Sequence, residues 1–493
     1  MAQLNDILKV RPDKHDTPAQ EARAKLIIDS KKDTIALSLF LLQDNPNMVR
    51  CGDNIYSYNG KCYDLISPTY MLEIIHKFLL TYNIPQAWSR RRDVIESVLS
   101  YEYFKKTKKM NDYPDLICVN NGILNIRTKE LIPHDPQYFF DTMINIDYLP
   151  EDKNAPNFVG YLQDTFNNNI QVIETVVQLG GYLLDSECKA GKMFLFDGQG
   201  GSGKSTLIDT FSLLFDEKQV TALPLDELAS GSFDKECLIS SRVNLSAEQK
   251  KGYIDSEEIK KIITCDLIKV SRKFKLAATF RPKTKIIVAC NGLPKFTDTS
   301  DAIYRRLVII RFTNQYRSAK EIEISGRKHF KLKNPKLIEE IKKERSAILN
   351  LFLEGLLKLR SNEYEFDIDN SSYECLEEFK KDSDTVREFL EENYVIDEQS
   401  SINIMDIYNH YRFWYRINVQ DSSLMKFRVN EMGKRITEVF NINRKGREKF
   451  RMGDTNEYQV LSVYGLKRIT IAPPDDFVDG VALEEAPQGE LGI

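Results

Sequence analysis

The chain has 493 residues, of which 42% are hydrophobic and 29% charged, and its formal net charge is −4. This length predicts roughly three domains, and the composition excludes a fibrous or wholly disordered chain. Because the charge is nearly balanced, nucleic-acid binding by a global positive field is excluded, and any such binding must use local basic patches.

The eight cysteines are scattered and form no Cys-x-x-Cys pair, and only five histidines are present. This pattern indicates reduced thiols rather than a disulfide framework or a zinc ribbon, and it predicts no metal cluster. The first ten residues carry no signal-peptide core, and no apolar run approaches membrane-spanning length. We therefore expect a cytoplasmic protein with no membrane partner.

Residues 1–110 are expected to form an N-terminal α+β region whose role the sequence does not indicate. Two alternating runs around an Asn-Gly pair predict a hairpin over 54–63. Residues 111–185 are expected to form a separate domain, with a second hairpin over 118–126 and one or two helices over 158–184.

The most informative stretch is Gly-Gln-Gly-Gly-Ser-Gly-Lys-Ser-Thr, which begins at Gly198. It follows an apolar strand-like run and precedes a helical pattern over 207–215, the context in which G-x-x-x-x-G-K-[ST] forms a phosphate-binding loop. In such a loop the lysine reaches the β- and γ-phosphates and the serine ligates Mg²⁺. A flexible Gly/Ser loop is the alternative. The residues expected to hold the nucleotide are Gly198, Gly201, Gly203, Lys204, Ser205 and Thr206.

Three further strand-like runs carry polar residues at their ends. Glu248 ends the first run, where a carboxylate can polarise the attacking water or hold the Mg²⁺ shell; capping the next helix is the alternative. Asn291 ends the second, where it can sense the γ-phosphate or merely begin a turn. Arg305 and Arg306 precede the third, and one of them can serve as an arginine finger on a neighbouring protomer.

A basic segment over 266–275 is the candidate for gripping single-stranded DNA, with a solvated strand face as the alternative. Its candidate DNA-binding residues are Arg272, Lys273, Phe274 and Lys275. After it, one helix over 337–359 is expected to close the ATPase domain, which is assigned to 186–362.

Residues 385–472 are expected to form a winged-helix domain, as helix, helix, helix and hairpin, with its recognition helix over 424–436. Arg444, Lys445 and Arg447 would begin the wing and contact the backbone of duplex DNA. A protein-binding winged helix is the alternative. Residues 473–493 are acidic and are expected to be a disordered tail.

Taken in order, these motifs resemble those of the superfamily 3 helicases, in the phage, plasmid and satellite-element branch related to poxvirus primase-helicases. The resemblance covers residues about 115–320 and implies a homo-hexameric ring that translocates 3′→5′, with 111–185 as a helical collar-like domain. It also implies residue roles: Lys204 as the Walker A lysine, Ser205 as Mg²⁺ ligand, Glu248 as the Walker B acid, Asn291 as the sensor, Lys273 as the tip of the DNA-gripping hairpin, and Arg306 rather than Arg305 as the finger.

The predicted fold is therefore α/β, with an AAA-like P-loop ATPase core, an N-terminal α-rich region and a C-terminal winged helix. The predicted function is that of an ATP- and Mg²⁺-dependent replicative DNA helicase at the origin of a phage, plasmid or mobile element. A separate primase or polymerase is the expected partner, because residues 1–110 show no primase motif. The alternatives are an origin-melting initiator without processive unwinding and a P-loop small-molecule kinase.

Overall fold

A computed structural model describes most of the chain. The described residues are 34–51, 54–81, 93–98, 110–230, 233–249, 252–272, 275–297, 301–326, 329–419, 425, 427–442, 445–452 and 456–469. The chain divides into two compact units, Met1–Lys380 and Lys381–Ile493. Within the described residues, no helix has both the length and the apolarity needed to cross a bilayer.

The described part of the first unit begins with a small antiparallel sheet between two helices. Its elements are α1 Thr34–Asp44, β1 Met48–Cys51, β2 Asn54–Tyr58, β3 Tyr63–Leu65 and α2 Pro68–Thr81. The predicted hairpin is confirmed, because Tyr58 pairs with Tyr63 across a turn in which Gly60 has φ +101°. Leu37 and Phe40 of α1 pack against Ile75 and Phe78 of α2.

A second three-stranded sheet and two helices follow. They are β4 Leu116–Val119, β5 Gly122–Asn125, β6 Leu131–Ile132, α3 Pro156–Thr165 and α4 Ile170–Leu184. The hairpin predicted over 118–126 is confirmed by the antiparallel pairing of β4 with β5. The run predicted over 158–184 is two helices, with Asn169 capping the second through its side-chain oxygen.

The centre of the first unit is a five-stranded sheet. The elements here are β7 Met193–Asp197, α5 Lys204–Ser212, β8 Val220–Thr221, α6 Leu225–Ala229, β9 Val243–Gln249, β10 Tyr253–Ile254, α7 Glu257–Ile263, β11 Ile268–Arg272, β12 Lys275–Phe280, β13 Lys285–Cys290, β14 Lys295–Phe296, α8 Asp301–Tyr304 and β15 Leu307–Arg311. The sheet order is β15-β7-β13-β9-β8, and every pairing in it is parallel.

Both faces of this sheet are buried, which explains why β7, β13 and β15 are nearly continuous apolar runs. Phe194 and Phe196 of β7 belong to one hydrophobic cluster, whereas Met193 and Leu195 belong to a second cluster. Because successive side chains of a strand point to opposite faces, the two clusters are the two sides of the sheet.

Helices from the rest of the first unit pack on both sides of the sheet: Ile341 and Phe352 join the cluster of Phe194, and Phe379 joins the cluster of Met193. The elements of this part are β16 Tyr316–Arg317, α9 Ala319–Ser325, β17 Lys331–Leu332, α10 Leu337–Lys343, α11 Arg345–Ser361 and α12 Asn370–Asp382. Helix α11 crosses α4 so closely that a Cβ on Gly181 would lie 2.4 Å from the Leu356 nitrogen, and one on Gly355 would lie 2.4 Å from the Val177 oxygen. Glycine at both positions permits this close packing.

The single helix predicted over 337–359 is wrong, because the helix breaks at Glu344 between α10 and α11. The Glu344 carboxylate accepts hydrogen bonds from the backbone N–H groups of Asn157 and Phe158, at 3.0 Å each. These groups open α3, whose own N-cap residue is Ala155 and provides no side-chain cap. The break thus places a carboxylate at the positive end of another helix.

In the second unit, the described residues form three helices and one antiparallel sheet. Its elements are α13 Thr385–Asn393, β18 Tyr394–Asn403, α14 Ile404–Asn418, α15 Val429–Phe440, β19 Lys445–Met452 and β20 Asn456–Arg468. The three helices and the β19–β20 hairpin follow the predicted order. Strand β18 was not predicted; it pairs with β20 and forms the edge of a sheet with order β18-β20-β19.

Candidate functional site

The glycine-rich loop follows β7 directly, at the carboxyl edge of the parallel sheet. Gly201 has φ +78° and Gly203 has φ +101°, backbone conformations that favour glycine. A Cβ on Gly201 would also lie 2.0 Å from Nη1 of Arg317. Gly203 is the N-cap of α5 and provides no side-chain cap, so the first backbone N–H groups of this helix point toward the loop.

Lys204 is the first residue of α5, and only 7% of its surface is exposed. Its Nζ donates hydrogen bonds to the Gly198 and Gln199 carbonyls, to the Ser202 hydroxyl at 3.3 Å and to Oδ1 of Asn291 at 3.1 Å. Burial lowers the pKa of Lys204 from its ordinary value. The lysine head is therefore held inside the loop and in contact with the end of β13.

Glu248 reaches the same edge through an irregularity in β9. The pairing of β9 with β13 shifts register between Val288 and Cys290, so that Ala247 and Glu248 lie together opposite Ala289. Both residues are exposed, whereas Ser246 and Gln249 on either side are buried. A bulge of this kind redirects side chains, and here it turns the carboxylate outward into the cavity beside the loop.

These residues share one cavity of about 800 Å³. Glu248 and Asn291 line it together with the glycine loop, and the Ser205 hydroxyl, which is exposed, also faces it. The sequence-predicted residues brought together here are Gly201, Gly203, Lys204, Ser205, Thr206, Glu248 and Asn291. Gly198 lies at the start of the loop, where Lys204 bonds its carbonyl oxygen.

The other wall of the cavity comes from parts of the chain that motif reasoning did not single out. The Tyr161 hydroxyl of α3 donates to the Gly203 oxygen at 2.9 Å, and the Tyr316 hydroxyl donates to Asp164 at 2.7 Å. Arg317 donates through Nη1 to the Gly200 oxygen at 3.0 Å. No local sequence pattern predicts that these residues line the cavity, because their positions depend on contacts between distant segments of the chain.

Arg305 and Arg306 lie away from this cavity. The backbone carbonyl of Arg306 accepts from the N–H of Met193, which begins β7, whereas the loop follows the end of β7. Five strand residues at about 3.3 Å each separate the two edges by roughly 16 Å. Arg306 bonds the Ala302 oxygen, and Asp266 is the nearby carboxylate that opposes the lowering of its pKa by burial.

The predicted DNA-contact residues are only partly described. Lys273, Phe274 and Arg444 lie outside the described residues. Arg272 and Lys275 are paired across the antiparallel β11–β12 ladder and flank residues 273 and 274. Lys445 and Arg447 belong to β19, which pairs with β20. The predicted acidic tail over 473–493 also lies outside the described residues.

Two family models match the chain. Residues 39–167 match the family described as D5 N terminal like, and residues 196–306 match a family of unknown function, DUF5906. The second match begins just before the glycine loop and ends at Arg306, so it contains every sequence-predicted nucleotide-site residue. The first ends just after α3, and the hydrogen bond from Tyr161 to Gly203 joins the two matched regions.

Among curated proteins, the chain is 23% identical over 337 residues to "Putative helicase L207/L206" of Acanthamoeba polyphaga mimivirus. The match covers 64% of this chain, and it spans 34% of that longer relative. The chain is therefore similar, over parts of its length, to a family described as D5 N terminal like and to a viral protein named as a putative helicase. Membership of superfamily 3 stays a prediction.

Solved structures of the NrS-1 C-terminal region in its apo form are also similar. Two of them are 13% and 12% identical to this chain, with TM-scores of 0.47 and 0.46. Each comparison covers 88% of this chain and 99% or 100% of that one. Because both TM-scores lie below 0.5, this likeness does not establish a shared fold.

Proposed function

We propose that this protein is an ATP-dependent DNA helicase that acts in replication of a phage, plasmid or other mobile element. The observation that carries the proposal is the convergence of Lys204, Ser205, Glu248 and Asn291 on one cavity at the carboxyl edge of a parallel sheet. Ligands of open α/β sheets bind at this edge, and a loop with this sequence before a helix is suited to phosphate.

The cavity residues fit ATP and Mg²⁺ chemically. Ser205 and Glu248 are exposed oxygen donors of the type that Mg²⁺ prefers, and the loop N–H groups and Lys204 are suited to phosphate oxygens. The metal ion, when bound, would neutralise charge that develops on the phosphates. Lys204 would exchange its loop carbonyl partners for phosphate oxygens, Glu248 would accept a proton from the attacking water, and Asn291 would orient that water.

Arg306 completes this proposal from a second subunit. Since it lies at the amino edge of its own sheet, it cannot reach its own nucleotide without a large rearrangement of β15. A ring of identical subunits would bring it to the neighbour's cavity, where a guanidinium stabilises transition-state charge. We therefore propose a homo-hexamer with Arg306 as the finger, and 3′→5′ translocation by family resemblance.

DNA contacts are assigned to two regions. The β11–β12 region would hold single-stranded DNA through Arg272, Lys273, Phe274 and Lys275, with Phe274 as the base-stacking ring. The second unit has the element order of a winged helix, and its Arg444, Lys445 and Arg447 would contact duplex backbone. A separate primase or polymerase would supply priming.

The first test measures the ATPase rate with and without single-stranded DNA, on protein whose oligomeric size has been determined by size-exclusion chromatography. Strong stimulation in a hexamer-sized peak, together with unwinding of a tailed duplex, is the expected result. DNA-independent hydrolysis by a monomer or dimer would refute the helicase and favour a small-molecule kinase. Stimulation without unwinding would favour the origin-melting initiator, for which the basic β19 strand is the supporting observation. Lys204→Ala serves as the hydrolysis-deficient control.

A further inference from the structure

Helix α14 of the second unit carries an exposed stripe of apolar and basic side chains. Phe413 and Ile417 are 63% and 57% exposed, although both are large hydrophobic residues. Arg412 and Arg416, which directly precede them in the sequence, are exposed as well. Because residues four apart lie one above the other on a helix, these four residues form two cation–apolar pairs one turn apart. We call them the α14 stripe.

The α14 stripe takes no part in packing the second unit. The core of the unit is formed by the opposite side of the helix, where Ile407, Tyr411 and Tyr415 are buried. A single exposed hydrophobic residue is ordinary, but two on adjacent turns, each beside a cation, form a patch suited to an interaction.

The two arginines of the stripe are available to a carboxylate. Within the part of the chain that the structure describes, neither Arg412 nor Arg416 forms an ion pair. The sequence of α14 contains one carboxylate, Asp406, which lies in the first turn of the helix, six residues or roughly 9 Å before Arg412.

The next helix of the unit differs in this respect. On α15, Lys434 lies 3.6 Å from Glu438, and Arg435 bonds both Glu438 and Asp384. The cations of α15 are therefore balanced by carboxylates of the same unit, whereas those of the α14 stripe are not.

The chain that leaves the last strand begins beside this stripe. Arg468 ends β20, and its Nη2 lies 3.0 Å from Nε2 of His410 on α14. His410, Phe413 and Ile417 occupy positions i, i+3 and i+7, so they lie along one side of the helix. The C-terminal segment therefore starts within a turn of the exposed Phe413 ring.

That segment complements the stripe in charge and in apolar character. Residues 473–493 contain six acids and no basic residue, and the first three acids enclose an apolar pair in the order Asp-Asp-Phe-Val-Asp over residues 475–479. The nine residues from Arg468 to Phe477 can span up to about 30 Å. The seven residues from His410 to Ile417 span about 10 Å of helix, so the acidic segment can reach the whole stripe.

We propose that residues 475–479 dock on the α14 stripe of the same chain. Their carboxylates would pair with Arg412 and Arg416, and the Phe477 ring would cover the exposed apolar side chains. Exposed ion pairs alone contribute little, so burial of the rings and the covalent tether, which gives an effective concentration in the mM range, supply most of the affinity. The docking involves only the second unit and does not depend on the proposed ATPase site.

The test uses the full-length variant Arg416→Lys, which keeps the charge and supplies an amine. A water-soluble carbodiimide joins an amine to a carboxylate in direct contact, and mass spectrometry of a digest identifies the joined peptides. Residue 416 should be joined to residues 475–479 roughly fivefold or more often than Lys434, whose side chain is 81% exposed on α15. Addition of NaCl to about 1 M should reduce this excess, because it screens the ion pairs.

Two further variants in the same background test the apolar contact. Phe413→Ser and Phe477→Ser keep every charge but remove one ring each, and both should lower the joining of residue 416 to the level of Lys434. Phe413 is exposed, so its replacement should leave the fold intact. Ile324→Ser is the control, because it removes a 77% exposed apolar side chain from α9 and should change nothing.

A mixture of isotope-labelled and unlabelled protein identifies the chain that supplies the segment. Joined peptides that carry the same label support docking within one chain, whereas mixed labels would assign the stripe to the tail of a second copy and overturn the proposal. Equal joining of residue 416 and Lys434, or no effect of either phenylalanine variant, would also overturn it. So would protection of the stripe by single-stranded DNA in a protein that shows no tail cross-link.

Discussion

At the residue scale, two cations approach the glycine loop from different parts of the chain. Lys204 belongs to the loop's own helix, whereas Arg317 arrives from β16 and bonds the Gly200 oxygen. The Arg317 guanidinium also lies 5.4 Å from the centre of the Phe330 ring, which supports its position. Arg317, as a second cation beside the loop, would therefore contribute to phosphate binding together with Lys204.

Replacing Arg317 should therefore weaken nucleotide binding. Charge-assisted hydrogen bonds contribute about 1.5–3 kcal/mol, so Arg317→Ala should raise the nucleotide Kd by roughly tenfold to a hundredfold. Titration calorimetry with a non-hydrolysable ATP analogue measures this directly. Lys320→Ala removes an exposed cation that does not line the cavity and should leave the Kd unchanged. Equal affinities for Arg317→Ala and the wild type would remove Arg317 from the site.

Lys285 predicts a pH dependence of stability at the same scale. Burial beside Arg242 lowers its pKa to about 8 from 10.5, so between these values the unfolded chain binds a proton that the folded protein does not. Lys285 therefore makes the free energy of unfolding rise with pH across this window, by at most about 1.4 kcal/mol per pH unit. Urea unfolding from pH 8 to 10.5 should show a smaller rise, or a steeper fall, for Lys285→Met than for the wild type. Parallel profiles would contradict the assignment.

At the scale of elements, local patterns predicted much of the site. The apolar runs of β7 and β13 and the glycine loop are visible in the sequence because a buried parallel strand is a continuous hydrophobic segment. The bulge that exposes Glu248 is not visible, since it depends on how β9 and β13 align. Tyr161 and Arg317 were missed for the same reason: their roles arise from contacts with Gly203 and Gly200 across the fold.

Two other features were not predicted from local sequence patterns: strand β18 and the helix break at Glu344. Strand β18 is stabilised by pairing with β20, more than fifty residues later, so its own sequence carries little signal. The break at Glu344 interrupts a run with helical periodicity, and its explanation is the cap that Glu344 provides for α3. In both cases a tertiary interaction outweighs local preference.

The cap predicts a measurable loss of stability. Glu344→Gln keeps one acceptor oxygen but removes the negative charge at the start of α3, and it should destabilise the first unit by about 1 kcal/mol. Urea unfolding monitored by circular dichroism measures this. Glu354→Gln is the matched control on α11, because its weak, exposed pair with Lys129 at 4.0 Å contributes little. If the two variants were equally stable, the cap would not be a stabilising contact.

At the scale of the whole molecule, the two edges of the central sheet separate the proposed duties of one subunit. The proposed nucleotide cavity lies at the carboxyl edge, and Arg306 lies at the amino edge. Under the proposed function, a subunit that lacks Lys204 would still offer its arginine, and a subunit that lacks Arg306 would still hold nucleotide.

Mixing such subunits tests whether Arg306 acts in trans. Lys204→Ala and Arg306→Ala proteins should each lack ATPase activity, and mixtures should regain a fraction of it, with a maximum at an intermediate ratio, because intact sites form at mixed interfaces. The measurement is the steady-state rate across mixing ratios. An Arg305→Ala series is the control, since that neighbouring arginine is exposed and is not assigned the role. No recovery at any ratio would exclude a shared site.

The hydrogen bond from Tyr161 to Gly203 also determines how the chain can be shortened. A fragment that starts at residue 186 keeps the glycine loop but loses α3, and with it the wall that contains Tyr161 and Asp164. Such a truncation should retain weaker nucleotide binding than one that starts at residue 110, although both contain every motif residue. We therefore expect the smallest fragment that binds nucleotide with full affinity to extend beyond the segment that carries the recognisable motifs.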